Sequence, residues 1–118
     1  MKRVWWGMAA LVLLGGCTSV GEIEQSPETM SVISGKKPQE YAECVMNKLQ
    51  GSRKPSKLEP IHNGLRLIVP QKMSDGPAAV ILIEDRSSGS SIKVHEHLNN
   101  FPLRFGDVRK AADQCISG

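Results

Sequence analysis

The chain has 118 residues, of which 40% are apolar, 23% charged and 4% aromatic. That balance suits one small domain and excludes both a disordered tail and a multispanning membrane protein. The formal charge of +3 includes Lys2 and Arg3 of an N-terminal segment that reads as removable; without them 13 basic residues face 12 acidic ones, net +1, so charge gives no argument for nucleic acid.

Lys2 and Arg3 precede an apolar run of 11 residues over 4–14, the composition of a signal-peptide core. The run is too short to cross a bilayer, which takes about 20 apolar residues. Residues 1–16 are therefore expected to be cut away, taking Trp5 and Trp6 with them. Directly behind comes Leu14-Gly15-Gly16-Cys17, a branched residue, two small ones and a cysteine. This motif resembles the lipobox of bacterial lipoproteins. The resemblance implies a diacylglyceryl group on the Cys17 thiol, cleavage before Cys17, and acylation of the new amine. Thr18, where an aspartate would signal retention at the inner membrane, implies transfer to the outer membrane with the protein facing the periplasm.

Residues 17–36 carry small polar side chains without a sustained period, and are expected to be a flexible tether with a reach of roughly 20–25 Å. Glu22, Glu24 and Glu28 make it acidic. The folded domain is expected over 37–118. Pro38 suits a first helical turn, with Gln39 and Glu40 at the positive helix end, and Tyr41, Cys44, Val45, Lys48 and Leu49 keep the spacing of a buried stripe. The spacing predicts a helix over 38–50 ended by Gly51. Phe105, Val108, Ala111, Ala112, Cys115 and Ile116 repeat it and predict a second helix over 104–116.

Between the helices the period becomes two. Asn63-Gly64 reads as a type I′ hairpin turn joining strands over 57–62 and 65–69. Residues 78–84 form a run continuous enough for a central strand. A turn over 87–90 leads to Ile92, Val94, Glu96 and Leu98 alternating with Lys93, His95 and His97. The expected fold is an α+β two-layer sandwich, α-β-β-β-β-α, with a four-stranded antiparallel sheet and both helices on one face.

With Cys17 assigned to lipid, Cys44 and Cys115 remain, and an exported chain meets an oxidising compartment, so they are expected to pair and brace a core poor in aromatics. Redox chemistry would ask for a Cys-x-x-Cys arrangement, which is absent.

No residue set demands catalysis, and no enzyme activity and no cofactor are expected. His95 and His97 share a strand face and are weak metal candidates, with His62 on another strand and no third ligand at a fixed spacing. Ser87, Ser88, Ser90 and Ser91 beside Asp85 lack a nucleophile elbow. Adjacent Glu84 and Asp85 point to opposite faces of a strand, unsuited to paired acid/base work.

Lys48, Arg53, Lys54 and Lys57 form a basic stretch without intervening acids, and Lys93, His95 and His97 mark an uncovered sheet face. Both are candidate partner surfaces. The Tyr41-Ala42-x-Cys44 helix, the Asn-Gly hairpin, the Ser/Gly turn and the final cysteine-bearing helix together resemble small cysteine-bridged envelope lipoproteins of proteobacteria. The resemblance implies a membrane contact through lipid and a non-enzymatic role, binding an envelope protein or a cell-wall polymer. The alternative is a periplasmic inhibitor of a wall hydrolase such as lysozyme, acting through the loop Met73-Ser74-Asp75-Gly76.

Overall fold

A computed structural model describes residues 20–72, 76–97 and 106–117. Helix α1 (Val20–Gln25) leads into strand β1 (Glu28–Ser34), and helix α2 (Pro38–Leu49) follows. Strands β2 (Lys57–Ile61), β3 (Gly64–Pro70), β4 (Pro77–Arg86) and β5 (Gly89–Glu96) precede helix α3 (Asp107–Gln114). The strands form one antiparallel sheet in the order β1-β5-β4-β3-β2.

The α+β class, the antiparallel sheet and a Cys44–Cys115 bridge are present, but there are five strands rather than four. The additional strand and α1 both lie within the segment expected to be a flexible tether. β1 is ordered chiefly by its backbone, which pairs with β5 from Glu28↔His95 to Ser34↔Ser90. Its inward residues Met30 and Val32 pack on the core, while buried Ser34 donates its hydroxyl to the Ile116 carbonyl at 2.6 Å. The Thr29 hydroxyl donates to the carboxylate of Glu96, itself 3% exposed. Polar partners at both ends therefore do what an apolar run would otherwise do, and such partners leave no trace in hydrophobic periodicity.

One face of the sheet presents Leu67, Val69, Ala79, Ile81, Ile83, Ile92 and Val94 to the inner sides of α2 and α3. Tyr41 is fully buried between those helices and donates its hydroxyl to the Ala112 carbonyl at 2.6 Å. Burial, then the nearby charge of Asp113, push the phenol pKa up. Cys44 and Cys115 join the two helices at a Cα separation of 5.8 Å. α2 starts with Pro38 and ends where Gly51 takes φ +88°, a conformation open to glycine at little cost.

The opposite face is also covered. Register places Arg66, Ile68, Val80, Leu82, Lys93 and His95 on it. α1 lies against β4 and β5 there with Ile23 only 2% exposed, and Arg66 holds Glu24 at 3.2 Å. The two-layer expectation is thus corrected to helices on both faces. Arg66 also holds Glu59 at 3.1 Å, and the hydrogen bond it donates to Glu59, with the charges of both acids, raises the guanidinium pKa against the lowering effect of burial.

The hairpin is shifted by one residue from its expected turn. Ile61 pairs with Gly64, so His62 and Asn63 make the turn and Gly64 belongs to the strand. A Cβ at Gly64 would lie 2.0 Å from the Ile83 carbonyl oxygen. Glycine is needed here for the close approach of β3 and β4 and not for a positive φ. Gly64→Ala is expected to lower stability by about 1–3 kcal/mol, the usual cost of overpacking, read as a reduced urea midpoint.

Candidate functional site

Lys48, Arg53, Lys54 and Lys57 are brought to one end of the molecule, but they do not act alike. Arg53 is drawn inward, its side chain only 4% exposed. Its Nε donates to Asp107 Oδ2 at 2.9 Å, Nη2 to Oδ1 at 2.8 Å, and Nη1 to the Pro70 carbonyl at 2.9 Å. The Ser52 hydroxyl adds a bond to Asp107 Oδ2 at 3.0 Å. This two-pronged pair joins the loop after α2 to the end of β3 and to the first turn of α3, where a carboxylate also meets the positive end of the helix. Burial would raise the Asp107 carboxyl pKa; the Arg53 hydrogen bond and charge, the Ser52 hydroxyl and the charge of Lys72 outweigh it and hold it below the usual range. Arg53 is accordingly a structural brace, which corrects its assignment to a partner surface.

Lys48, Lys54 and Lys57 are exposed and Lys72 is half-buried. A shallow cleft of about 310 Å³ brings the start of α1 to this end, with Val20 beside Pro55, Lys57, Pro70 and Pro77. A second, of about 360 Å³, runs between Met46 and Gln50 of the α2 end and Lys54 and Pro55. Glu59 and Ile68 complete the first cleft, and lysines set in such relief can draw an anionic group by charge. Lys72 and Val20 escaped sequence reasoning because they are far along the chain from the basic stretch: Val20 reaches this end through the packing of α1 on the sheet, and Lys72 follows the end of β3, which Arg53 holds.

The second expected surface is not open. His95 is 6% exposed beneath α1, and its Nδ1–H donates to the Ser26 carbonyl at 2.8 Å. Lys93 and His97 are half-buried, so the face they share with His95 is closed in large part by the chain itself. His62 lies in the β2–β3 turn, at the end of the sheet remote from His95. Among the described residues no group of three or more His, Cys, Asp or Glu side chains is placed to hold a metal ion.

In the serine cluster Ser90 is buried and donates to the Lys36 carbonyl at 2.6 Å, while Asp85 pairs with Lys37 at 3.1 Å. Neither is oriented by a histidine. Cys17 and Met73, Ser74 and Asp75 of the loop assigned to an inhibitor lie outside the described residues.

The two edges of the sheet differ. β2 carries Lys57, Glu59 and Pro60, which discourage a further strand. β1 has no lysine and no proline, and its Ile33 is 59% exposed. Among the described residues no helix is long and apolar enough to cross a membrane. Compared with protein-family models, curated proteins and solved structures, the chain matches none.

Proposed function

We propose that this protein is a lipid-anchored, non-enzymatic component of the bacterial cell envelope, held at the outer membrane and facing the periplasm, whose domain docks an envelope protein or wall polymer. The observation that carries the reading is the division of the three cysteines. Cys44 and Cys115 close a disulfide between α2 and α3, which suits an oxidising compartment, and Cys17 is left behind Leu14-Gly15-Gly16. Two or three acyl chains at about 0.8 kcal/mol per methylene would make the attachment essentially permanent. The edge of β1, on which no further strand pairs among the described residues and where Ile33 is exposed, is the natural place for a partner segment to add a strand.

Intact mass and membrane fractionation of material from the native host test the reading. The expected result is a chain beginning at Cys17 with added acyl mass, recovered in the outer membrane, and a Cys17→Ser variant that is neither acylated nor retained there. A chain still carrying residues 1–16 without acyl mass would overturn it. For the docking half, a photoreactive group at position 33 is expected to crosslink one envelope partner reproducibly at native abundance.

A further inference from the structure

Resting on the lipid-anchored reading above, the position of Val20 fixes which end of the domain meets the bilayer. Three residue steps separate Cys17 from Val20, so an acylated Cys17 lies within about 11 Å of the start of α1 even with the chain fully extended. α1 does not swing on a long tether: Ile23 is buried against the sheet, Glu24 is held by Arg66, and the Ser26 carbonyl accepts from His95. Val20 lines the cleft together with Pro55, Lys57, Glu59, Ile68, Pro70 and Pro77. Lys54 precedes Pro55 in the chain and Lys72 stands two residues after Pro70; Lys54 and Lys57 are exposed and Lys72 is half-buried.

We propose that this end, where Val20 shares a cleft with Lys57 and Lys54 adjoins it through Pro55, is the membrane face of the domain, seated on a phospholipid leaflet through anionic headgroups. Two independent features converge on it: the point where the anchor leaves the fold, and charge of the sign that an anionic leaflet attracts. The acids Glu24 and Glu59 of this neighbourhood are engaged by Arg66, and Asp107 by Arg53. Glu22 on α1 and Glu28 at the start of β1 are exposed acids toward this end, and the exposed ammonium groups of Lys54 and Lys57 supply the positive charge at its rim. The seating turns the other end of α2 and the β2–β3 turn away from the bilayer. It also leaves the β1 edge standing at the side of the molecule, since β1 and β2 are opposite edges of the sheet.

The test uses the full acylated protein in vesicles of phosphatidylcholine alone or with added phosphatidylglycerol, treated with a water-soluble amine-acylating reagent and read by peptide mass. Lys37 is the internal reference, because it precedes α2 at the end remote from Lys54, about 18 Å along a helix of 12 residues. Labelling of Lys54 and Lys57 is expected to slow about three-fold or more relative to Lys37 in the anionic vesicles, and to recover at high salt. Acylated protein whose Lys54 and Lys57 label like Lys37 in both lipids overturns the membrane face and leaves the anchor intact. Protection equal in both lipids and indifferent to salt overturns the charge-based seating. Protein whose mass shows no acyl chains overturns the anchor, and the membrane face with it.

Discussion

Replacing Cys44 and Cys115 together by alanine is expected to lower unfolding stability by about 4 kcal/mol, the chain-entropy value for a loop closed over 71 residues, within the 2–5 kcal/mol seen when small exported domains lose a native bridge. The effect is large here because of what depends on the bridge. α3 has 8 residues, short of the ~12–15 at which an isolated helix becomes even marginally stable in water. It is held by the disulfide, by the Tyr41 hydroxyl on the Ala112 carbonyl, by the Arg53–Asp107 pair and by the Ser34 hydroxyl on the Ile116 carbonyl. Without the covalent link these contacts must order α3 against its full conformational freedom. Urea denaturation of the double variant, with and without reductant, measures the loss. Reductant should lower the wild-type midpoint to that of the variant and leave the variant unmoved, and amide exchange should rise first in α3. Coincident midpoints for wild type and variant would show that the bridge does not brace the fold.

The same packing explains which parts of the structure were legible in the sequence. α2, the hairpin, β4 and β5 each announce themselves through a run of apolar residues at one period, and the disulfide follows once one cysteine is set aside for lipid. β1 and α1 do not. In β1 the inward series is Met30, Val32, Ser34, so a serine ends the stripe, while exposed Ile33 is out of phase with it. α1 buries a single large side chain, Ile23, and is otherwise held by a salt bridge and a histidine–carbonyl bond. A usable signal was nevertheless present. Val80 and Leu82 alternate with Ala79, Ile81 and Ile83, which makes β4 apolar on both faces, and Ile68 adds to the outer one. Two helices on one side leave that outer surface in water, and only the N-terminal segment remained to cover it. At the candidate site the lysines were legible as a cluster, but the inward turn of Arg53 was not. It is decided by Asp107, which lies 54 residues away.

Arg53→Ala is expected to cost roughly 3 kcal/mol, at the lower end of the range for removing one partner from a buried ion pair. Arg53 is nearly inaccessible and Asp107 retains 22% exposure, so some water softens the loss. The variant removes both prongs on the carboxylate and the bond to Pro70 O, and leaves Asp107 with the Ser52 hydroxyl and the charge of Lys72. Arg53→Lys keeps the charge but not the fork, and should recover only part of the stability. The pH dependence separates the ion pair from mere packing. Because the folded protein holds the Asp107 carboxyl below its usual pKa, it binds fewer protons there than the unfolded chain does. The contribution of the pair is therefore fully present above the unfolded value of about 4 and is lost as pH falls through the lower, folded one. Urea midpoints measured from neutral pH down to about pH 2 should show wild type losing more stability than Asp107→Asn over that window. Adding Arg53→Ala to Asp107→Asn should cost clearly less than Arg53→Ala does alone, since a neutral amide leaves no buried charge unpaired. Additive losses in the double variant, or equal acid sensitivity with and without Asp107, would mean that Arg53 braces the loop by shape and by its bond to Pro70 O rather than by charge.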